Sequence, residues 1–349
     1  VDSPPQPPPF GSDTWHEFLT FLRHSTANLP SAFDAIVGSL PINSELFPLL
    51  VALLRAGVKI YASADGTVRL DLVSAGSGWL FWIALADIPA HVDVDRYIDV
   101  DTIDGCPIVS LLAGTTLAHG RLSTLSSYRS EGTGALVIVY LLNRLTAYLR
   151  LPSPPSVKHY CDNQGLVLQV NRLKSSAPSW WWNDVTDADI LSEIAHQARG
   201  LDHTFVWEKG HPERRMRREE WSPSEWSNFL ADGLAAEAWQ RPNAMGSSSQ
   251  FAPQLPHAAS LALHLPDGSI HGNIKRILPP IITTAQGQQQ LARYIHYTAE
   301  QLDEIDWDLL QICSTSFTST ALARFHFCKA FNNQWYTEAQ AHKFNESLD

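Results

Sequence analysis

The middle of this sequence predicts an α/β domain: a mixed central sheet flanked by helices, with helical N- and C-terminal extensions. Three observations predict it. Apolar β-type runs come first and then alternate with amphipathic segments, the order that gives a mixed sheet with helical layers. The hydrophobic and charged fractions, 44% and 17%, are those of a chain that builds a core. A stretch rich in Pro, Ser and Gly after residue 240 then ends the alternation. At 349 residues there is room for about two domains, or for one enlarged domain with extensions.

The elements follow in order. The opening VDSPPQPPPF has no basic region and no apolar core, so it reads as a flexible proline-rich tail or the cut edge of a longer chain, not as a secretory signal. Trp15–His24 and Glu45–Ala56 read as helices and complete an N-terminal block, residues 1–57. Within residues 58–240, VKIYAS and WLFWIAL are β-type runs and SLLAGTTLAHG is a weaker one. Glu131–Leu149 is helical, because Ala135, Ile138, Leu142, Leu145 and Leu149 recur at steps of 3 and 4. VKHYCDN is a strand that runs into a helix at Gly165–Leu173. Asp187–Arg199 is an amphipathic helix, with Asp187 and Asp189 as its cap and first-turn acids. HTFVWEK is a strand, and Pro223–Trp239 is the last helix of the block. Residues 241–256 read as a linker. In residues 257–349, a hairpin is expected at Asp267-Gly268, then helices at Gln288–Leu302 and Ser319–Asn332.

Composition narrows the function classes. Cys106, Cys161, Cys313 and Cys328 are scattered without zinc spacing, which favours a reduced, intracellular protein, cytoplasmic or nuclear. No membrane partner is expected: the best apolar run, Ala135–Leu142, is broken by Asn143 and Arg144, and no stretch is expected to reach the length of a span. The net charge of −11 argues against an extended basic surface, though a small basic patch can suffice for nucleic acid.

The chemistry lies in where acids fall relative to the elements. Asp65 is expected to end the first strand, Glu131 to start the long helix, Asp162 to end the VKHYCD strand and Asp232 to lie in the last helix. Acids at such junctions can converge. Hydrolysis of a phosphodiester by two divalent cations needs that convergence, because hard cations take oxygen ligands and clamp both the attacking and the leaving oxygen. Each acid also has a plainer reading. Asp65-Gly66 can be a hairpin turn, Glu131 a helix N-terminal acid favoured by the dipole, and Asp232 a solvated helix acid. Asp71 rivals Asp65 as the first carboxylate but sits nearer the next element, and Asp104-Gly105 reads as a turn.

YASADGT, SSYRSEGTGAL, YCDNQGLV, VWEKGH and NFLADGLA follow one another in that order. Together, over about residues 58–240, they resemble the ribonuclease H family in the version carried by reverse-transcribing elements. The resemblance implies a ribonuclease H-like fold and an endoribonuclease that hydrolyses the RNA strand of RNA–DNA hybrids. It implies two Mg²⁺ (or Mn²⁺) ions held by Asp65, Glu131, Asp162 and Asp232, with Asp65 bridging them. His211 would assist proton transfer or product release. Asn163 and Gln164 would contact the hybrid, and Asn228, one turn before Asp232, would orient the site or touch the RNA strand. The 2′-hydroxyl would distinguish RNA from DNA. The partners implied are the hybrid itself and an upstream reverse transcriptase domain in the same polyprotein, since RFHFCKAFNNQWYTEAQAHKFN is similar to the basic-aromatic segment that follows ribonuclease H in such polyproteins.

Outside the family pattern, the segment PERRMRREEWSPSEW lengthens the path from His211 to Asp232. Its Arg214, Arg215, Arg217 and Arg218 are candidates for phosphate contact, although Glu213, Glu219 and Glu220 make a solvated helix an equal reading. Trp180–Trp182 can stack on nucleic acid or pack under a loop; packing is the expectation. Glu131 is followed by Gly132-Thr133-Gly134, and glycines cost a helix about 1 kcal/mol each, so a loosened helix start is expected. Two further functions stay open: a catalytically inactive ribonuclease H-like module that binds nucleic acid or a polymerase partner, and a related nuclease acting on DNA ends or junctions.

Overall fold

A computed structural model of the chain describes residues 12–26, 31–69, 74–92, 96–97, 105–118, 126–174, 187–238, 255, 264–265 and 268–269. Asp71, Asp104, Trp180–Trp182, the proline-rich tail, the helices expected at Gln288–Leu302 and Ser319–Asn332 and nearly all of the linker lie outside the described residues.

The order is α1 (Trp15–Thr26), α2 (Ser31–Ser39), α3 (Phe47–Arg55), β1 (Ile60–Arg69), β2 (Ser74–Ala84), β3 (Ile108–Leu117), α4 (Ser127–Leu149), β4 (Ser156–Cys161), α5 (Gln164–Lys174), α6 (Ala188–Gln197), β5 (Asp202–Trp207) and α7 (Pro223–Ala238). A short pair, β6 (His264–Leu265) and β7 (Gly268–Ser269), is antiparallel, with Leu265 opposite Gly268, so Gly268 belongs to a strand and not to the turn expected at Asp267-Gly268. The five longer strands form one sheet in the order β3-β2-β1-β4-β5. β1, β2 and β3 pair antiparallel, whereas β4 joins β1, and β5 joins β4, in parallel. This is the expected α/β architecture, a mixed central sheet flanked by helices.

Strand alternation sorts the side chains onto two faces. Trp79, Phe81 and Ile83 of β2 share a core with α4, while Leu80, Trp82 and Ala84 pack with Trp221, Trp226 and Ala231 on the α7 side. β1 obeys the same rule. Ala62 and Ala64 join the α4 core, whereas Ser63 Oγ lies 2.7 Å from Ser227 Oγ of α7. The N-terminal helices feed the α4 core. Phe33 stacks on Tyr140 with centroids 4.6 Å apart, and Phe18 meets Tyr148 at 5.3 Å.

Three sequence expectations change here. Asp65 does not end its strand: β1 continues to Arg69, with Asp65 paired to Gly78 and Gly66 to Ser77, so Asp65-Gly66 is ladder and not a hairpin turn. α4 begins at Ser127, four residues before Glu131. Ser126 caps it by accepting from the Arg129 amide at 3.1 Å, and the helix runs unbroken through Gly132 and Gly134. Those glycines are where the helix meets its neighbours. A Cβ on Gly134 would collide with Ser77 Oγ and stand 3.0 Å from Ala64 Cβ, so close approach explains the residue where helix propensity does not. Finally, α4 is long and apolar enough, by length and composition, to cross a membrane, contrary to the expectation that no stretch is. Its apolar surface is spent on the sheet and the surrounding helices, with 72% of the relevant window buried.

Candidate active site

Parallel pairing places Ser63 opposite Tyr160, so Asp65 and Asp162 stand two residues further along neighbouring strands. Asp65 follows Ser63 on the α7 side of β1, which aims it toward Asp232. Glu131 arrives from α4. Its approach needs Gly66, because a Cβ there would collide with Ser130 Oγ and the Glu131 amide nitrogen. The loop Lys209-Gly210-His211 closes over Asp162, and a Cβ on Gly210 would lie 3.2 Å from Asp162 Cγ. Four elements and one loop thus meet at one end of the sheet, and they bring together the four carboxylates and His211.

The electrostatics follow from that meeting. Asp65 and Glu131 are each 6% exposed. Burial, with the Asp162 and Asp65 charges beside it, pushes the Glu131 carboxyl up to about 8 against opposing hydrogen bonds from Asn163 and Cys161. Asp65 is raised by burial first and by Asp162 next, and Asp232 adds to the effect; the 2.6 Å bond from the Gly66 amide opposes them. Asp162 is raised as well, burial outweighing the favourable charge of His211. Asp65, Glu131 and Asp162 are thus each held above the ordinary value, by burial first and by the neighbouring negative charges next.

Such a site fits hard divalent cations, which bind carboxylate oxygens and would remove the repulsion. Among the described residues, the donor atoms of Glu131, Cys161 and Asp162 lie within 4.8 Å of one another. Cys161 is the donor that sequence reasoning did not mark. Its signal was available, since the alternation along SVKHYC turns Val157, His159 and Cys161 inward. Cys161 Sγ donates to Glu131 Oε2 at 3.5 Å.

The other expected site residues fall into distinct places. Asn163 Oδ1 accepts from the Leu166 amide at 3.0 Å, capping α5, while its Nδ2 donates to Glu131 Oε1 at 3.4 Å. Gln164 is exposed beside it. Asn228 is buried beneath Asp232, 1% exposed, with no hydrogen-bond partner for Oδ1 among the described residues. His211 has a left-handed backbone, φ 54°, and its half-exposed ring sets Nδ1 3.2 Å from Glu213 Oε1. Arg214 is well exposed, its Nε 3.6 Å from Glu213. Arg215 is turned inward. It donates to the Lys209 carbonyl at 3.0 Å and to Glu225 Oε1 at 3.2 Å, bracing the loop that carries His211 against α7. Arg218 lies over the Trp226 ring, 4.4 Å from its centroid.

Two further groups shape the site without having been marked for it. Arg129, buried two residues before Glu131, donates to Asp187 at 2.8 Å and in a fork to Asp189 at 2.9 and 3.1 Å. Asp189 does lie in the first turn of α6, but Asp187, at the cap position with φ 54°, makes no capping bond because its carboxylate is spent on Arg129. Trp207 Nε1 donates to the Asp162 carbonyl at 3.0 Å, which ties the end of β5 to the end of β4.

No protein-family model and no curated protein matches this chain. Solved structures do. The N-terminal RNase H domain of a Mycobacterium tuberculosis protein, solved as a fusion with maltose-binding protein, is 17% identical with a TM-score of 0.30, over 52% of this chain and 94% of that one. RNase H1 from the halophilic archaeon Halobacterium salinarum is 16% identical with a TM-score of 0.29, over 52% and 98%. LC11-RNase H1, solved in complex with an RNA/DNA hybrid, is 17% identical with a TM-score of 0.29, over 51% and 95%.

Proposed function

We propose that this chain is a metal-dependent endoribonuclease that hydrolyses the RNA strand of RNA–DNA hybrids, as part of the polyprotein of a reverse-transcribing element and with a reverse transcriptase domain upstream. The observation that carries the reading is the convergence of Asp65, Glu131, Asp162 and Asp232 from β1, α4, the end of β4 and α7, where burial first and neighbouring charge next raise three of them. Two Mg²⁺ or Mn²⁺ ions fit this set, with all four acids as ligands. Bound divalent cations supply activation of the attacking water and stabilisation of the leaving 3′ oxygen.

The chain's own residues do the rest. His211, half-exposed and beside Asp162, carries a proton to or from the reacting oxygens. Gln164 and Arg214 face solvent near the site and contact the hybrid backbone, while Asn228 orients Asp232 from below. The protein works inside the cell, in the cytoplasm or nucleus.

A second reading, an inactive module that binds nucleic acid or a polymerase partner, is favoured by one observation. Two of the insertion's four arginines are engaged with its own side chains, Arg215 with Glu225 and Arg218 with Trp226. The deciding experiment is cleavage of a labelled RNA–DNA hybrid in Mg²⁺ and in Mn²⁺ by wild type and Asp162→Asn. Cleavage confined to the RNA strand and at least about 100-fold slower in the variant is the expected outcome. A folded wild type that cuts neither strand in either metal leaves the inactive module standing.

A further inference from the structure

Glu131 reaches the site from a different element than Asp162, and its two oxygens are taken from opposite ends of one tripeptide. Cys161, before Asp162, donates its thiol to Oε2 at 3.5 Å; Asn163, after it, donates its amide to Oε1 at 3.4 Å. Cys161 is fully buried, and Asn163 is fixed through its other atom, Oδ1, by the Leu166 amide at the start of α5. Neither donor is therefore free to follow Glu131, and Glu131 must settle where both reach it. A glutamate has three side-chain torsions to lose, and two donors clamped in place hold its carboxylate in one orientation before any cation arrives.

We propose that Cys161 and Asn163 are positioning residues that fix the Glu131 carboxylate against Asp162, so that the divalent site is preformed; this rests on the nuclease reading only for its effect on cleavage. It gives Asn163 a task other than the hybrid contact that the family resemblance implies. It also gives the buried thiol a chemical reason, since valine would fill the same space without donating. Partners that orient a ligand in this way are worth about 10- to 100-fold in metal affinity or activity when removed.

The test is Mn²⁺ binding by calorimetry to the full chain, alongside hybrid cleavage, for wild type, Cys161→Ala, Cys161→Ser and Asn163→Asp, each checked for folding by circular dichroism. Cys161→Ser keeps a donor in place. Asn163→Asp keeps the α5 cap but turns the donor toward Glu131 into an acceptor. Cys161→Ala and Asn163→Asp should each bind Mn²⁺ about 10-fold or more weakly, with kcat reduced and KM for the hybrid little changed, and Cys161→Ser should recover most of the affinity. A purely structural cysteine would leave the serine variant as impaired as the alanine one. That result, unchanged affinity in both donor-less variants, or no Mn²⁺ binding by wild type overturns the proposal. Should Cys161→Ala not fold, the Cys161→Ser and Asn163→Asp pair decides it in the same way. Donor-dependent Mn²⁺ binding without hybrid cleavage would retain the positioning pair and reject the nuclease, whereas cleavage with donor-independent binding would do the reverse.

Discussion

Holding Asp65 and Glu131 nearly out of solvent against Asp162 and Asp232 costs the folded chain free energy until a cation neutralises them. For Glu131 the sign is definite. Its carboxyl has an ordinary value of 4.5 and stands at about 8 in the folded chain, so folding retains a proton that unfolding releases. The stability this contributes is complete below about pH 4.5 and is lost as pH rises through about 8. In EDTA, thermal melts of wild type should fall further between about pH 5 and about pH 8 than those of Glu131→Gln, and Mg²⁺ or Mn²⁺ should restore wild type but not the variant. Identical pH slopes for the two proteins would show that the Glu131 carboxyl is not held in this way. At this scale the candidate ligands were legible because each acid lies within one of the five ordered motifs, although only Asp162 stands at a strand end. Cys161 and Arg129 were not, since a cysteine in a strand and an arginine in a helix carry no mark of what they will face.

The long helix α4 is placed by charge at its start and by glycine along its length. Arg129 is fully enclosed, and its ion pairs with Asp187 and Asp189 at the α6 start offset the cost of that enclosure. Replacing it by alanine leaves two carboxylates facing a void, and Arg129→Ala should lose about 3–5 kcal/mol in urea unfolding. A loss under about 1 kcal/mol would mean that water reaches the acids and that the clamp is not what docks α4 on α6. Gly134 and Gly78 do the complementary work of letting helices lie on the sheet, Gly78 by leaving room for the Ala231 carbonyl and the Ala235 nitrogen of α7. Strands and helices were legible through their periodicity. Their ends were not, because Asp65-Gly66 has turn chemistry and only the partner residues Gly78 and Ser77 of β2 keep it in the ladder.

At the scale of the molecule, the N-terminal helices belong to the same core as the sheet. Phe18, Phe33 and Phe47 are buried with Tyr140 and Tyr148, and Phe18 stacks on Phe47 at 5.4 Å. A chain lacking residues 1–57 would expose the outer side of α4. It should melt without a cooperative transition or stay insoluble, as measured by circular dichroism and sedimentation. A soluble truncated chain with an undiminished Tm would make residues 58–240 a self-sufficient domain, as the division of the sequence into blocks at residue 57 implies.

What the sequence determined by itself is the order of elements and the identity of the acids. Strand and helix periodicities are properties of neighbouring residues, and the five motifs keep their order whatever the chain does in space. Only the tertiary structure decided which groups meet: that Asp187 serves Arg129 and not its own helix, that Arg215 braces a loop, that Asn163 and Cys161 grip Glu131. Those pairings join residues 6 to 60 positions apart, and burial makes each binding, because a charged or polar group removed from water must find its partner wherever the fold has put one.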